Sequence, residues 1–188
     1  MPDKIYVSYN PDNKAAEEAI TRLKSHFGED RIISSPSFAK EPSAEEINPL
    51  LDNIDNHITE TALIMTLLDN SGINNECFRY ETLQGFLVGI PVIPVNITEN
   101  NDEITNNPFT DIGVYFDNNG KDCFPMELID NEWEQYELIS HIDLGDPIHD
   151  DMKGKVYSLD IFFETQKWNK NQDSVLKLVT DSIAENAI

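Results

Sequence analysis

Basic side chains are scarce in this chain. Its 188 residues include 13 lysines and arginines against 35 aspartates and glutamates, a formal net charge of −22, and Arg22, Arg31 and Arg79 are the only arginines. Gripping a phosphate backbone needs a basic stripe, and this field repels one, so DNA and RNA are excluded as partners. An anionic small molecule would have to be held locally, by backbone N–H groups, a helix N-terminus or Arg79. Cysteine is scarcer still. Cys77 and Cys123 match neither a disulfide framework nor zinc spacing and read as two reduced structural thiols. No apolar run approaches the roughly 18 residues a membrane-spanning helix requires, and the opening MPDKIYVSYN offers no apolar signal segment. The expected residence is the cytoplasm, with no membrane partner. GxGxxG, GxxxxGKT, GxSxG and HExxH are all missing. Their absence removes Rossmann-type, P-loop, serine-hydrolase and zincin readings in their usual forms.

What is present is an alternation of strand and helix patterns. KIYVSY (residues 4–9) is rich in β-formers and closed by the turn-forming NPDN. KAAEEAITRLKSHFG sets Ala16, Ile20, Leu23 and Phe27 at i, i+4, i+7 and i+11, and Gly28 stands where a helix stop belongs. RIIS (31–34) predicts a short strand and SPSFAKEP a loop. SAEEINPLLDNIDNHI opens on a Ser43/Glu46 capping-box pattern and carries Ile47, Leu50, Leu51, Ile54 and Ile58 on one side. TALIMTLL (61–68) has the continuous apolar character of a strand covered on both faces. CFRYETLQGFLVG then predicts a helix and IPVIPVNI a strand, which Pro91 and Pro94 move toward a sheet edge. This order predicts an α/β fold, flavodoxin-like, with a doubly wound and mostly parallel sheet over residues 1–98.

Beyond residue 98 the texture changes, and residues 99–188 read as an α+β extension packed on that core. IGVYFDNNGKDCF predicts two strands joined at an Asn-Gly turn. Trp133, Tyr136, Tyr157, Phe162, Phe163 and Trp168 supply aromatic mass to pack against the sheet. The turn residues WNKNQD precede a terminal helix, SVLKLVTDSIAEN.

Among residues that could carry chemistry, Glu81 stands out. Helical periodicity sends Cys77, Tyr80, Leu83 and Leu87 toward the core, and Phe78, Glu81 and Gln84 or Gly85 along an adjoining stripe near the sheet's carboxyl edge. Open α/β sheets bind ligands at that edge. The same periodicity accommodates a solvated glutamate paired with Arg79. Asp69 ends the third strand, where response-regulator receivers carry their phosphoacceptor, but Ser8, Tyr9 and Asn10 stand where the paired magnesium-binding acids belong. HIDLGDPIHDD (141–151) fits no helical two-histidine pattern and reads as a solvated acidic loop, so no metal site is expected. DNNGKD (117–122) reads as a hairpin turn rather than a calcium loop.

Taken together, KIYVSYN, TALIMTLLDNS, CFRYETLQGFLVGIPVIPVNI and the later NPF, DNNGK, EWEQY and KGKVYSL resemble the TIR-like proteins of bacterial Thoeris anti-phage defence, over nearly the whole chain. The resemblance implies that Glu81 is the catalytic glutamate. It implies that Tyr6, Ser8, Tyr9 and Asn10 line a nucleotide pocket at the first strand's end, with Phe38 from the loop after the second strand and Cys77 from the helix. Cys77 stands where that family commonly has Trp, Asn10 where many TIR domains have Arg, and Ser34 where relatives carry Asp.

The activity so implied is that of an NAD glycohydrolase or ADP-ribosyl cyclase. It releases nicotinamide and a cyclic ADP-ribose-type second messenger, and a separate effector protein would respond to that messenger. NAD is then the substrate, and no cofactor is required. Nicotinamide leaves as a neutral pyridine, so one carboxylate can suffice where ordinary glycosidases need two. With an ordinary pKa of about 4.3, that carboxylate is charged at neutral pH unless burial raises it strongly. Two other functions fit the same residues. One is a non-enzymatic TIR adaptor that oligomerises or binds a partner; the other is a nucleoside deoxyribosyltransferase-like enzyme, which also sets a glutamate before a glycine-linked parallel strand. Self-association into a homo-oligomer is compatible with the TIR-like readings.

Overall fold

Lys4–Ser8, a run of β-formers, is the first strand (β1) of a computed structural model that describes residues 3–35, 43, 45–70, 76–99 and 103–185. The helix α1 (Lys14–Phe27) follows. Its N-cap is Asn13, whose side chain accepts a hydrogen bond from the Ala15 N–H at 2.8 Å, and its stop is Gly28 at φ 102°. Next come β2 (Ile32–Ser35), α2 (Ile47–Ile58), β3 (Thr61–Leu68), α3 (Glu76–Leu87) and β4 (Val92–Asn96). Glu46 reaches back to the Ser43 N–H at 3.0 Å as a capping box requires, although α2 itself begins only at Ile47.

The strands pair in the order β2-β1-β3-β4, all parallel, and a two-residue strand near the C-terminus, β10 (Gln166–Lys167), adds parallel to β4. This is the flavodoxin-like order predicted from the sequence. β4 is shielded on its outer side only along Val95–Asn96, so its prolines do sit close to an edge. Strand alternation divides the side chains between two faces. Ile5, Val7, Leu63, Met65, Leu67, Ile93 and Val95 pack with α1 and with Trp168, Val175, Leu176 and Val179 of the last helix, α4 (Trp168–Glu185). The opposite face meets α2 and α3, which are tied together by the Tyr80 hydroxyl donating to the Asp55 carboxylate at 2.9 Å.

The change of texture at residue 98 does not coincide with the division of the chain. One unit comprises Met1–Asn106 with Glu164–Ile188, and the other Asn107–Phe163. The second unit is an antiparallel sheet of β5 (Ile112–Phe116), β6 (Asp122–Ile129), β7 (Glu132–Gln135) and β9 (Lys155–Ser158), with β8 (Ile142–Asp143) also on β6. The predicted hairpin is present. Its turn is organised by Asp117, whose carboxylate accepts from the backbone N–H groups of Asn119, Lys121 and Asp122 at 3.1, 2.7 and 3.1 Å. Of the aromatic residues expected on the parallel sheet, Trp168 packs there. Trp133, Tyr136, Tyr157, Phe162 and Phe163 belong to the second unit, where Phe163 meets Phe109 edge-on at 5.3 Å and the Trp133 ring lies over Gly113. The turn expected at WNKNQD is a break inside α4, at Asn171 with φ −144°. Among the described residues, no helix is long and apolar enough to cross a membrane.

Candidate functional site

The alternation that sends Ile5 and Val7 toward α1 turns Tyr6 and Ser8 toward α3. The helix comes very close to the sheet at Gly85, where an added Cβ would lie 2.2 Å from Ile64 Cδ1 on β3. One turn earlier on the same stripe is Glu81, with 0% of its surface exposed. Ser8 Oγ donates a hydrogen bond to Glu81 Oε1. The Tyr6 hydroxyl is a second, weaker donor to the carboxyl, and Ser35 in turn donates to Tyr6. Glu81 Oε2 is buried with no hydrogen-bond partner among the described residues.

Burial dominates the electrostatics. Loss of water raises the Glu81 pKa to about 8, and the hydrogen bonds from Ser8 and Tyr6 only partly offset it. The resting carboxyl therefore holds its proton through most of the neutral range. Burial, and then the nearby Glu81 charge, push the Tyr6 phenol above its ordinary value. A solvated Glu81 paired with Arg79 is ruled out by this geometry, since Glu81 is enclosed and Arg79 Nη2 bonds Glu76 at 3.0 Å.

Ser8 is the last residue of β1, and the strand order reverses between β1 and β3. Crevices at such reversals, at the carboxyl ends of strands, are where open α/β sheets place ligands. The structure brings Tyr6, Ser8 and Glu81 together, with the buried Cys77 one helical turn before Glu81 and close enough to act electrostatically on Tyr6. Tyr9 is packed against the α1-side core, on the face away from Glu81. Asn10 shapes the turn after β1, its side chain accepting from the Asp12 N–H at 3.0 Å. Phe38 lies outside the described residues. Asp69 accepts a hydrogen bond from the side chain of Asn13, which ties it to the cap of α1.

Two buried hydroxyl residues beside Ser8 escaped the sequence reading. Thr66 and Ser35 stand in register with Ser8 on the neighbouring strands and share its burial. A lone inward hydroxyl in the apolar run TALIMTLL was the available signal for Thr66; nothing local marked Ser35. Thr66 Oγ1 and Thr82 Oγ1 are both buried without a hydrogen-bond partner among the described residues. The acidic stretch 141–151 is largely solvated, and His149 pairs there with the exposed Asp151 at 3.3 Å. Among the described residues, no three His, Cys, Asp or Glu side chains converge as metal ligands. Chemically, the site is a desolvated carboxyl fixed by hydroxyls, suited to bear negative charge when a positive group arrives beside it.

No family model matches the chain. It is similar to "Putative cyclic ADP-D-ribose synthase ThsB1" of Bacillus cereus (strain MSX-D12), with 23% identity over 121 residues that cover 61% of this chain and 63% of that protein. The match thus spans less than two thirds of the relative's length.

Proposed function

We propose that this protein is a TIR-like enzyme that breaks the nicotinamide–ribose bond of NAD, with Glu81 as the catalytic residue and a cyclic ADP-ribose-type signal as the product. The observation that carries the reading is the enclosure of Glu81 and its fixation by Ser8 at the carboxyl end of β1. Similarity to a protein named as a cyclic ADP-D-ribose synthase supports it.

The chemistry follows from charge. A pyridinium ring brought beside the carboxyl favours its ionised form, so substrate binding and loss of the Glu81 proton are coupled. As the C–N bond breaks, its electron pair goes to the ring nitrogen and positive charge passes to the ribosyl carbon. The Glu81 carboxylate stabilises that cation, and its placement is preorganised by Ser8 and Tyr6. Capture by water gives ADP-ribose; capture by a nitrogen of the adenine ring gives a cyclic product, which a dry site favours. A separate effector protein would then read that product.

The test is mass spectrometry of NAD incubated with the purified protein, with a parallel arm of 2′-deoxynucleosides. Glu81→Gln should lower nicotinamide release about 100-fold or more. Release at the wild-type rate from that variant overturns the assignment. The complete burial of Glu81 also favours a second reading, a TIR-type adaptor without turnover. Self-association on adding NAD, with NAD recovered intact, would select the adaptor.

A further inference from the structure

The face that carries Glu81 has a row of hydroxyls crossing three adjacent strands. Ser35 on β2 pairs in register with Ser8 on β1, and Ser8 with Thr66 on β3; Pro94 on β4 ends the row. All three hydroxyl residues are buried, at 5%, 0% and 0% exposure. Hydroxyls enclosed in an apolar sheet are costly unless each finds a partner. Ser35 has Tyr6 and Ser8 has Glu81 Oε1. Thr66 Oγ1 has no partner among the described residues, and neither has Glu81 Oε2. Ser8, the in-register neighbour of Thr66, bonds the other oxygen of the same carboxyl. Neighbouring strands lie about 4.8 Å apart, so Thr66 directly flanks the serine that binds the carboxyl, and α3 packs on this same face of β3 where Gly85 meets Ile64.

We propose that Thr66 Oγ1 and Glu81 Oε2 jointly hold one O–H group, a buried water in the resting protein and a ribose hydroxyl of the substrate when it binds. Thr66 is then a substrate-binding residue on the strand beside Ser8. The water fits the usual demand of such sites, a polar niche with at least two partners. The sugar role rests on the NAD-cleaving reading above, whereas the water role stands without it.

Thr66→Val removes the hydroxyl and keeps the shape; Thr66→Ser keeps the hydroxyl. For NAD cleavage the valine variant should raise KM about tenfold with a smaller change in kcat, and the serine variant should stay near wild type. That penalty should vanish for one of two NAD analogues, lacking either the 2′- or the 3′-hydroxyl of the nicotinamide ribose, and persist for the other. An unchanged KM in Thr66→Val, or an equal penalty on both analogues, overturns the sugar role. Loss of cleavage in Glu81→Gln with an unaltered Thr66→Val profile sinks only the Thr66 assignment, and a wild-type rate in Glu81→Gln sinks the NAD reading itself. Independently, a high-resolution crystal structure should show an ordered water bridging Thr66 Oγ1 and Glu81 Oε2, lost in Thr66→Val. Its absence from the wild-type crystal overturns the water role.

Discussion

Replacing Glu81 by glutamine should make the protein more stable, and increasingly so as pH rises. The folded carboxyl has its pKa raised to about 8 by burial, against 4.5 for the ordinary group. Below pH 4.5 both folded and unfolded chains carry the proton, and Glu81 imposes no titration cost. Between those two values the unfolded chain gives up the proton that the folded chain keeps, so stability falls as pH rises; above about pH 8 the loss is complete. At about 1.4 kcal/mol per pH unit, the loss is on the order of 3 kcal/mol by pH 7 and on the order of 5 kcal/mol beyond pH 8. The side-chain amide of the Glu81→Gln variant cannot titrate, and its oxygen can still accept from Ser8 Oγ. For a chain of this size about 2–4 °C of Tm accompanies each kcal/mol. The Tm difference between variant and wild type should therefore widen by about 10 °C or more between pH 4.5 and 8.5. Scanning calorimetry of both proteins across that range is the assay. Other titrating groups are common to both, and a fixed cost of the amide shifts the whole curve without changing its slope. A difference that stays flat across the range refutes the burial account, and one of opposite slope would mean that the folded site prefers the anion.

The same protonation predicts that kcat/KM for NAD cleavage climbs with pH toward an inflection at about 8, because the free protein must lose the Glu81 proton to act. A profile level from pH 6 to 9 would contradict it. Gly85→Ala should cost about 1–3 kcal/mol, since its methyl would meet Ile64 Cδ1. Ile64→Val, which removes that atom, should be less damaging in the Gly85→Ala background than in wild type; denaturant titration of the four proteins measures the coupling.

The parallel sheet was legible because its information is local. KIYVSY and TALIMTLL are β-rich runs, and the Ala16, Ile20, Leu23, Phe27 stripe with Gly28 behind it admits one helix face and one stop. The burial of α3 was harder to read. Cys77, Phe78, Tyr80, Glu81, Thr82, Leu83, Gly85 and Leu87 are all enclosed, so the helix has no single apolar stripe for periodicity to find. Position 81 could be singled out from its surroundings, but its partner depended on register. Which of Ser8, Ser34, Ser35 and Thr66 faces the carboxyl is decided by pairing between strands distant in sequence. The homing of β10 and α4 to β4 was likewise invisible, because two residues of strand carry no pattern.

That homing has a consequence for synthesis. The α1-side core takes Trp168, Val175, Leu176 and Val179 from a helix that follows the second unit in the chain. On the ribosome, residues 107–163 emerge as an uninterrupted block, while the parallel sheet has only α1 on that flank until α4 has been made. Domains generally fold in order from the N-terminus during translation, but here the unit that starts first takes its closing helix from beyond the other.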